Sequence, residues 1–296
     1  MTTGVDENSK IGKNCSQPPK LIWYFSPPMA NVPKTRLTLS RSRRNLEILQ
    51  VFVQRNLKSR YRGSYLGVYW SLLNPLLMTG IYTAIFGAVF AEYYDNSIIN
   101  YILAAFTGLS VIHFYSGSTS QALRSVVTNG TILNKISLPV SILPASAIAA
   151  NLFQFSIGTF PLLAIMALLI SGNILNSIAL ILPVAALAFL CTGVGFILAG
   201  LYVFFRDLPY FYQLVVYALR IGTPVFYPSE IVPEKVRNVI ELNPLAAIIE
   251  SVRQITLSGD LPDLKLIWGA LLSSMLVAVL GWICFQLQRD QFMDLL

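Results

Sequence analysis

The segment RNLKSRYRGSYLGVYWSLLNPLLMTGIYTAIFGAVF, Arg55 to Phe90, packs Arg55, Lys58, Arg60 and Arg62 into eight residues and then carries no charge until Glu92. An uncharged run of this length spans a hydrocarbon core of about 30 Å as a helix rising 1.5 Å per residue. A basic cluster at one edge of such a run is an orientation signal, because Lys and Arg in short connections stay on the cytosolic side. Tyr65, Tyr69 and Trp70 stand where an aromatic belt belongs. Pro75 inside the run is tolerable, since bundle neighbours can satisfy the carbonyl it frees.

The rest of the chain agrees with a membrane environment. Of its 296 residues 55% are hydrophobic and 12% charged, about half the share of charge in a soluble domain. Twelve of the 21 Lys and Arg residues precede Gly63, so the net charge of +7 reads as topology and not as a nucleic-acid footprint. Cys15, Cys191 and Cys284 lie far apart without metal-ligand or disulfide spacing. The first thirty residues offer only LIWYF as an apolar patch, too short for a signal-peptide core.

The expected fold is an all-α integral membrane protein with six transmembrane helices. Residues 1–40 read as a flexible cytosolic arm, 41–62 as an amphipathic interfacial helix, and 63–296 as the six-span domain. On a helical wheel Leu46, Ile48, Leu49, Phe52, Val53 and Leu57 share one face, and Glu47, Gln54, Arg55, Lys58 and Arg62 the other. Val51 and Arg60 fall on the wrong sides. The spans are expected at about 66–90, 99–118, 141–170, 177–204, 208–226 and 265–287. Between the last two, at about 228–258, lies a re-entrant pair of short helices, the second opened by the cap-and-proline pair Asn243-Pro244. Six spans put both termini in the cytosol, with Arg124, Lys135, Arg206 and Arg289 on that side, while residues 91–98 and 171–176 carry no Lys or Arg.

Catalytic chemistry is not expected. His113 is the single histidine, and the spans hold no Asp or Glu for a proton relay. The one Gly-Lys pair, Gly12-Lys13, has Glu7 where a phosphate-binding loop needs its first glycine. Neither a metal nor a cofactor is expected in the chain. Arg220 lies in the fifth expected span, where it either locks the bundle by pairing with a carbonyl or a re-entrant acid, or lines a pathway.

The sequence resembles the permease subunits of ABC exporters for bacterial polysaccharides such as O-antigen, capsule or teichoic acid. The resemblance is carried by RNLKSRYRGSYLGVYWSLLNPLL, NGTILNKISLPVSILP, YVFFRDLPYF and TPVFYPSEIVPEKVRNVIELNPLAAIIESVRQ, in that order. It implies an inner-membrane homodimer paired with two copies of an ATPase subunit that binds the ATP and magnesium. Between the two copies a lipid-linked glycan of the kind used in lipopolysaccharide biosynthesis would pass. It also implies a coupling helix at Asn129–Pro139, with Gly130, Ile132, Leu133 and Lys135 at the ATPase, and a gate helix carrying Arg55, Lys58, Arg60 and Arg62. Arg206 and Asp207 would clamp a cytosolic turn, and Tyr212, Tyr217 and Arg220 are candidate pathway residues. Alternatives are a permease for a drug or small lipid, and a membrane-embedded transferase.

Overall fold

The computed structural model describes residues 41–133, 135, 138–233, 235, 237, 240, 242–257 and 263–292, so the expected arm at 1–40 lies outside the described residues. Every regular element among them is helical. Helix α1 (Arg41–Arg60) leads through a turn into α2 (Trp70–Phe90). Gly63 (φ +79°) and Gly67 (φ +50°) make that turn in the left-handed region, which costs a glycine nothing and other residues about 1–2 kcal/mol. Within α2 the missing N–H of Pro75 frees the Ser71 carbonyl. The Thr159 hydroxyl of a neighbouring helix approaches that oxygen at 3.5 Å, as hydrocarbon demands.

Helix α3 (Ile98–Thr128) begins on Ser97, whose Oγ accepts from the Asn100 N–H at 3.3 Å. It runs ten residues past the expected end of the second span. The polar residues that suggested a loop are absorbed locally. Thr119, Ser125 and Thr128 donate their hydroxyls to carbonyls three or four residues back, at 2.7, 2.6 and 2.8 Å. One helical turn, α4 (Gly130–Leu133), follows. Next come α5 (Ile142–Ser171), stopped by Gly172, then α6 (Ile174–Ala179) and α7 (Ile181–Phe204).

The fifth expected span is α8 (Leu208–Gly222), 15 residues long and rising about 22 Å. Thr223 leaves the helix in extended conformation, so the helix is shorter than the run read from hydropathy. Among the described residues five segments are long and apolar enough to cross a membrane: Gly67–Tyr93, Ile98–Thr128, Ile142–Ser171, Ile174–Phe204 and Leu264–Gln291. Helix α9 (Pro244–Leu257) starts where Asn243-Pro244 predicts, with Asn243 Oδ1 accepting from Leu245 N–H at 3.0 Å. The helix expected before it falls largely outside the described residues. The last element, α10 (Leu264–Gln288), is opened by Asp263, whose Oδ1 accepts from Lys265 N–H at 2.9 Å.

Helices α3 and α9 are the enclosed ones. Leu245, Ile248, Ile249, Val252 and Ile255 of α9 enter the main core with Ile112, Leu163 and Leu187 of α3, α5 and α7. At 14 residues, or about 21 Å, α9 is too short for an ordinary crossing yet buried among longer helices. A second core at the other end joins Phe52 of α1 to Val126, Leu133, Ile142, Phe196, Phe285 and Phe292. By contrast α2 and α10 leave Leu77, Ile81, Ile85, Leu272 and Leu276 exposed, as helices wetted by lipid or by another chain would.

Candidate functional site

The end of the bundle that carries α1 collects the polar chemistry. Phe52, Asn56 and Arg60 recur four residues apart on α1, which puts them on one face. Phe52 fills the second core, and the Asn56 amide donates to Ser146 Oγ at 3.2 Å. Arg60, out of place on an apolar wheel, is received by side-chain amides: it donates to Asn151 Oδ1 at 3.0 Å, Gln154 Oε1 at 2.7 Å, and Gln121 Oε1. Asn151 and Gln121 bond each other at 3.1 Å. Val51, the other misfit, is exposed.

The four cations of the expected gate helix therefore separate. Lys58 and Arg62 are exposed. Arg55 lies 4.8 Å over the Phe52 ring and donates to Asn129 Oδ1. Since Asn129 also bonds Ser125 O at 2.7 Å, α1 is tied to the corner where α3 turns into α4. Among the described residues Arg60 forms no ion pair, and its acceptors are neutral side-chain amides. Burial pushes the adjacent Tyr61 phenol upward against the opposing pull of Arg60, so Tyr61 stays protonated and supplies no counter-charge.

The expected coupling helix divides in the same way. Gly130 and Leu133 are buried, Leu133 within the second core, and Ile132 is half-buried against it. Thr131 and Lys135 are exposed and Pro139 is half-buried. Among the described residues of 130–139 the exposed ones are Thr131 and Lys135, while Leu133 fastens the turn from inside.

Beside the Arg60 end of α1, helices α2, α3 and α5 border an open cavity of about 470 Å³. Arg60, Asn74, Ser110 and His113 line it with polar groups, and Tyr61, Trp70, Phe114 and Phe155 with rings. From Gln121 to Ser110 it follows α3 for about 16 Å. Sequence reasoning passed over this site. Its available signal was the amide pair Asn151 and Gln154, three apart in the apolar run AANLFQF and hence neighbours on α5.

The candidate pathway residues are not among those that line the cavity. Tyr212 is buried, its hydroxyl donating to Thr119 Oγ1 at 2.7 Å, whereas Tyr217 is exposed on α8. Arg220 is half-buried in the last turn of α8, where the helix dipole favours a cation. Arg206 and Asp207 are exposed in the turn between α7 and α8, and the Asp207 carbonyl accepts from Tyr210 N–H at 3.1 Å. At the opposite end Arg253 of α9, 6% exposed, donates to the carbonyls of Pro224 at 3.0 Å and Val225 at 3.3 Å.

Among the described residues five helices are long and apolar enough to cross a membrane, as in a multi-pass membrane protein of the permease class. Residues 47–257 match the model of the ABC-2 type transporter family, and the chain belongs to that family. It is 30% identical over 203 residues to an O-antigen export system permease protein RfbA of Klebsiella pneumoniae, covering 67% of this chain and 77% of that one. To the O-antigen export system permease protein RfbA of Myxococcus xanthus it is 29% identical over 251 residues, 83% of this chain and 94% of the other.

Proposed function

We propose that this chain is the membrane subunit of an ATP-driven exporter that moves a lipid-linked polysaccharide across the inner membrane. The observation that carries this reading is the joint likeness, over most of its length, to permeases named for O-antigen export. In this reading α8 and the segment after it complete a sixth crossing, both termini are cytosolic, and two copies flank the conduit. The α8 face bearing Tyr210, Phe211 and Tyr217 is exposed and offers rings to sugars without fixing a register. Two ATPase subunits bind ATP and magnesium and dock on the α4 corner.

Force applied at α4 has a physical route into the membrane. Leu133 is seated in the same core as Phe52, and Asn129 is bonded to Arg55. A displacement of α4 therefore drags α1, and α1 drags α5 through Asn56 and Arg60. The double substitution Thr131→Glu and Lys135→Glu should lower the amount of ATPase that co-purifies by about tenfold, equivalent to about 1.4 kcal/mol. Its thermal stability should stay that of the wild type, because both residues are exposed. Undiminished co-purification would remove α4 as the docking element.

A further inference from the structure

Helix α3 leaves one stripe uncovered, and that stripe is polar. From Ala104 to Arg124 its residues that are not buried are His113, Ser116, Gly117, Ser120, Gln121 and Arg124, spaced three or four apart and hence on one face. A face turned to lipid shows apolar side chains instead, as α2 does with Leu77, Ile81 and Ile85. Polar residues at membrane depth face the bundle interior or a water-filled space, so this stripe, about 16 Å long, borders a hydrophilic groove. Helix α8 flanks it: Tyr212 and Gln213 share a space of about 160 Å³ with Ser120 and Arg124. Two turns beyond Gln213, Arg220 stands near enough to His113 to act on it electrostatically. Arg220 forms no ion pair and no hydrogen bond among the described residues, and its Nε is buried without a partner. Neither α3 nor α8 contains an Asp or Glu that could supply one.

We propose that this groove passes a glycan with acidic repeat units, and that Arg220 is the residue that selects them. The proposal rests on the export reading above and names the class of its cargo. A neutral glycan would find hydroxyls and amides along the stripe but would leave Arg220 unneutralised, where a lone charge is costly. A second copy of the chain related by a two-fold axis brings its own Arg220 and no acid from α3 or α8, so the missing anion must come with the cargo. A lipid anchor passes the groove once, whereas acids on each repeat present a partner throughout transit. Each accepts a charge-assisted hydrogen bond from the guanidinium and hands over to the next.

The test uses the full chain in nanodiscs of neutral lipid, with two probes: a short oligogalacturonate and its fully methyl-esterified, uncharged form. The wild type should bind the acid about tenfold more tightly than the ester, the scale of one charge-assisted contact, and high salt should shrink the difference. Arg220→Met should erase the preference, Arg220→Lys should keep most of it, and Arg289→Gln, which alters an exposed cation at the end of the last helix, should leave it intact. The thermal midpoint of Arg220→Met should be no lower than that of the wild type, because the substitution removes a cation that no other group answers. A lowered midpoint or a failure to fold would show that Arg220 locks the bundle, and would overturn the proposal. Equal affinity for the two probes, or equal losses in Arg220→Met and Arg289→Gln, would overturn it while leaving glycan export standing. Binding of neither probe would overturn it and count against the export reading as well.

Discussion

Gly281→Leu is expected to leave almost no folded protein. Helix α10 exposes most of its surface and joins the bundle along a narrow seam that includes Ala270, Ser274, Gly281 and Phe285. At the middle of that seam Gly281 meets Gly193 of α7 backbone to backbone. A Cβ on Gly281 would stand 2.2 Å from the Gly193 carbonyl oxygen, and one on Gly193 would stand 2.3 Å from that of Val277. Neither obstacle is a side chain that can rotate away. Small residues drive such crossings because lipid tails provide no hydrophobic force between helices, leaving contact distance as the main source of attraction. Overpacking costs about 1–3 kcal/mol for extra methylenes in a core, and more when backbone must move. The yield of monodisperse protein and its thermal midpoint in detergent check this. Leu280→Ala on the exposed side of α10 should change both little.

Arg253→Met is the second large effect, and it acts at the other end of the molecule. The Arg253 guanidinium is the donor for the carbonyls of Pro224 and Val225, where the chain leaves α8 in extended form. Methionine replaces most of the volume but none of the donors. Two carbonyls then lose this partner, and buried unsatisfied acceptors cost about 1–3 kcal/mol each. The Glu250 contact contributes less, since that carboxylate is 36% exposed and 3.4 Å away. The variant should lose about 2–5 kcal/mol, and hydrogen exchange should rise in residues 223–228 before it rises in α3. Protection that falls evenly over the whole chain would show that Arg253 does not hold this segment locally.

Hydropathy revealed the helical class and the places of five long apolar helices of the six expected, because burial in lipid imposes long apolar runs. Asn243-Pro244 marked the start of α9 because capping is decided by neighbouring residues. The extension of α3 to Thr128 was hidden, since Thr119, Ser125 and Thr128 have the composition of a loop until their hydroxyls are seen bonding back into the helix. The cavity was hidden for a different reason. Arg60, Gln121, Asn151 and Gln154 come from α1, α3 and α5, and no local pattern tells an arginine which amides will receive it. The same holds for Leu133, whose apolar side chain suited a docking surface and instead fills the chain's own core.

Docking and coupling both require the α4 corner to stand on the ATP side of the membrane. A single cysteine at Lys135, an exposed position, in a chain otherwise freed of cysteine, can be challenged in intact cells with a membrane-impermeant maleimide. The thiol should stay unlabelled until the membrane is permeabilised. Prompt labelling from outside would contradict the topology and the roles drawn from it.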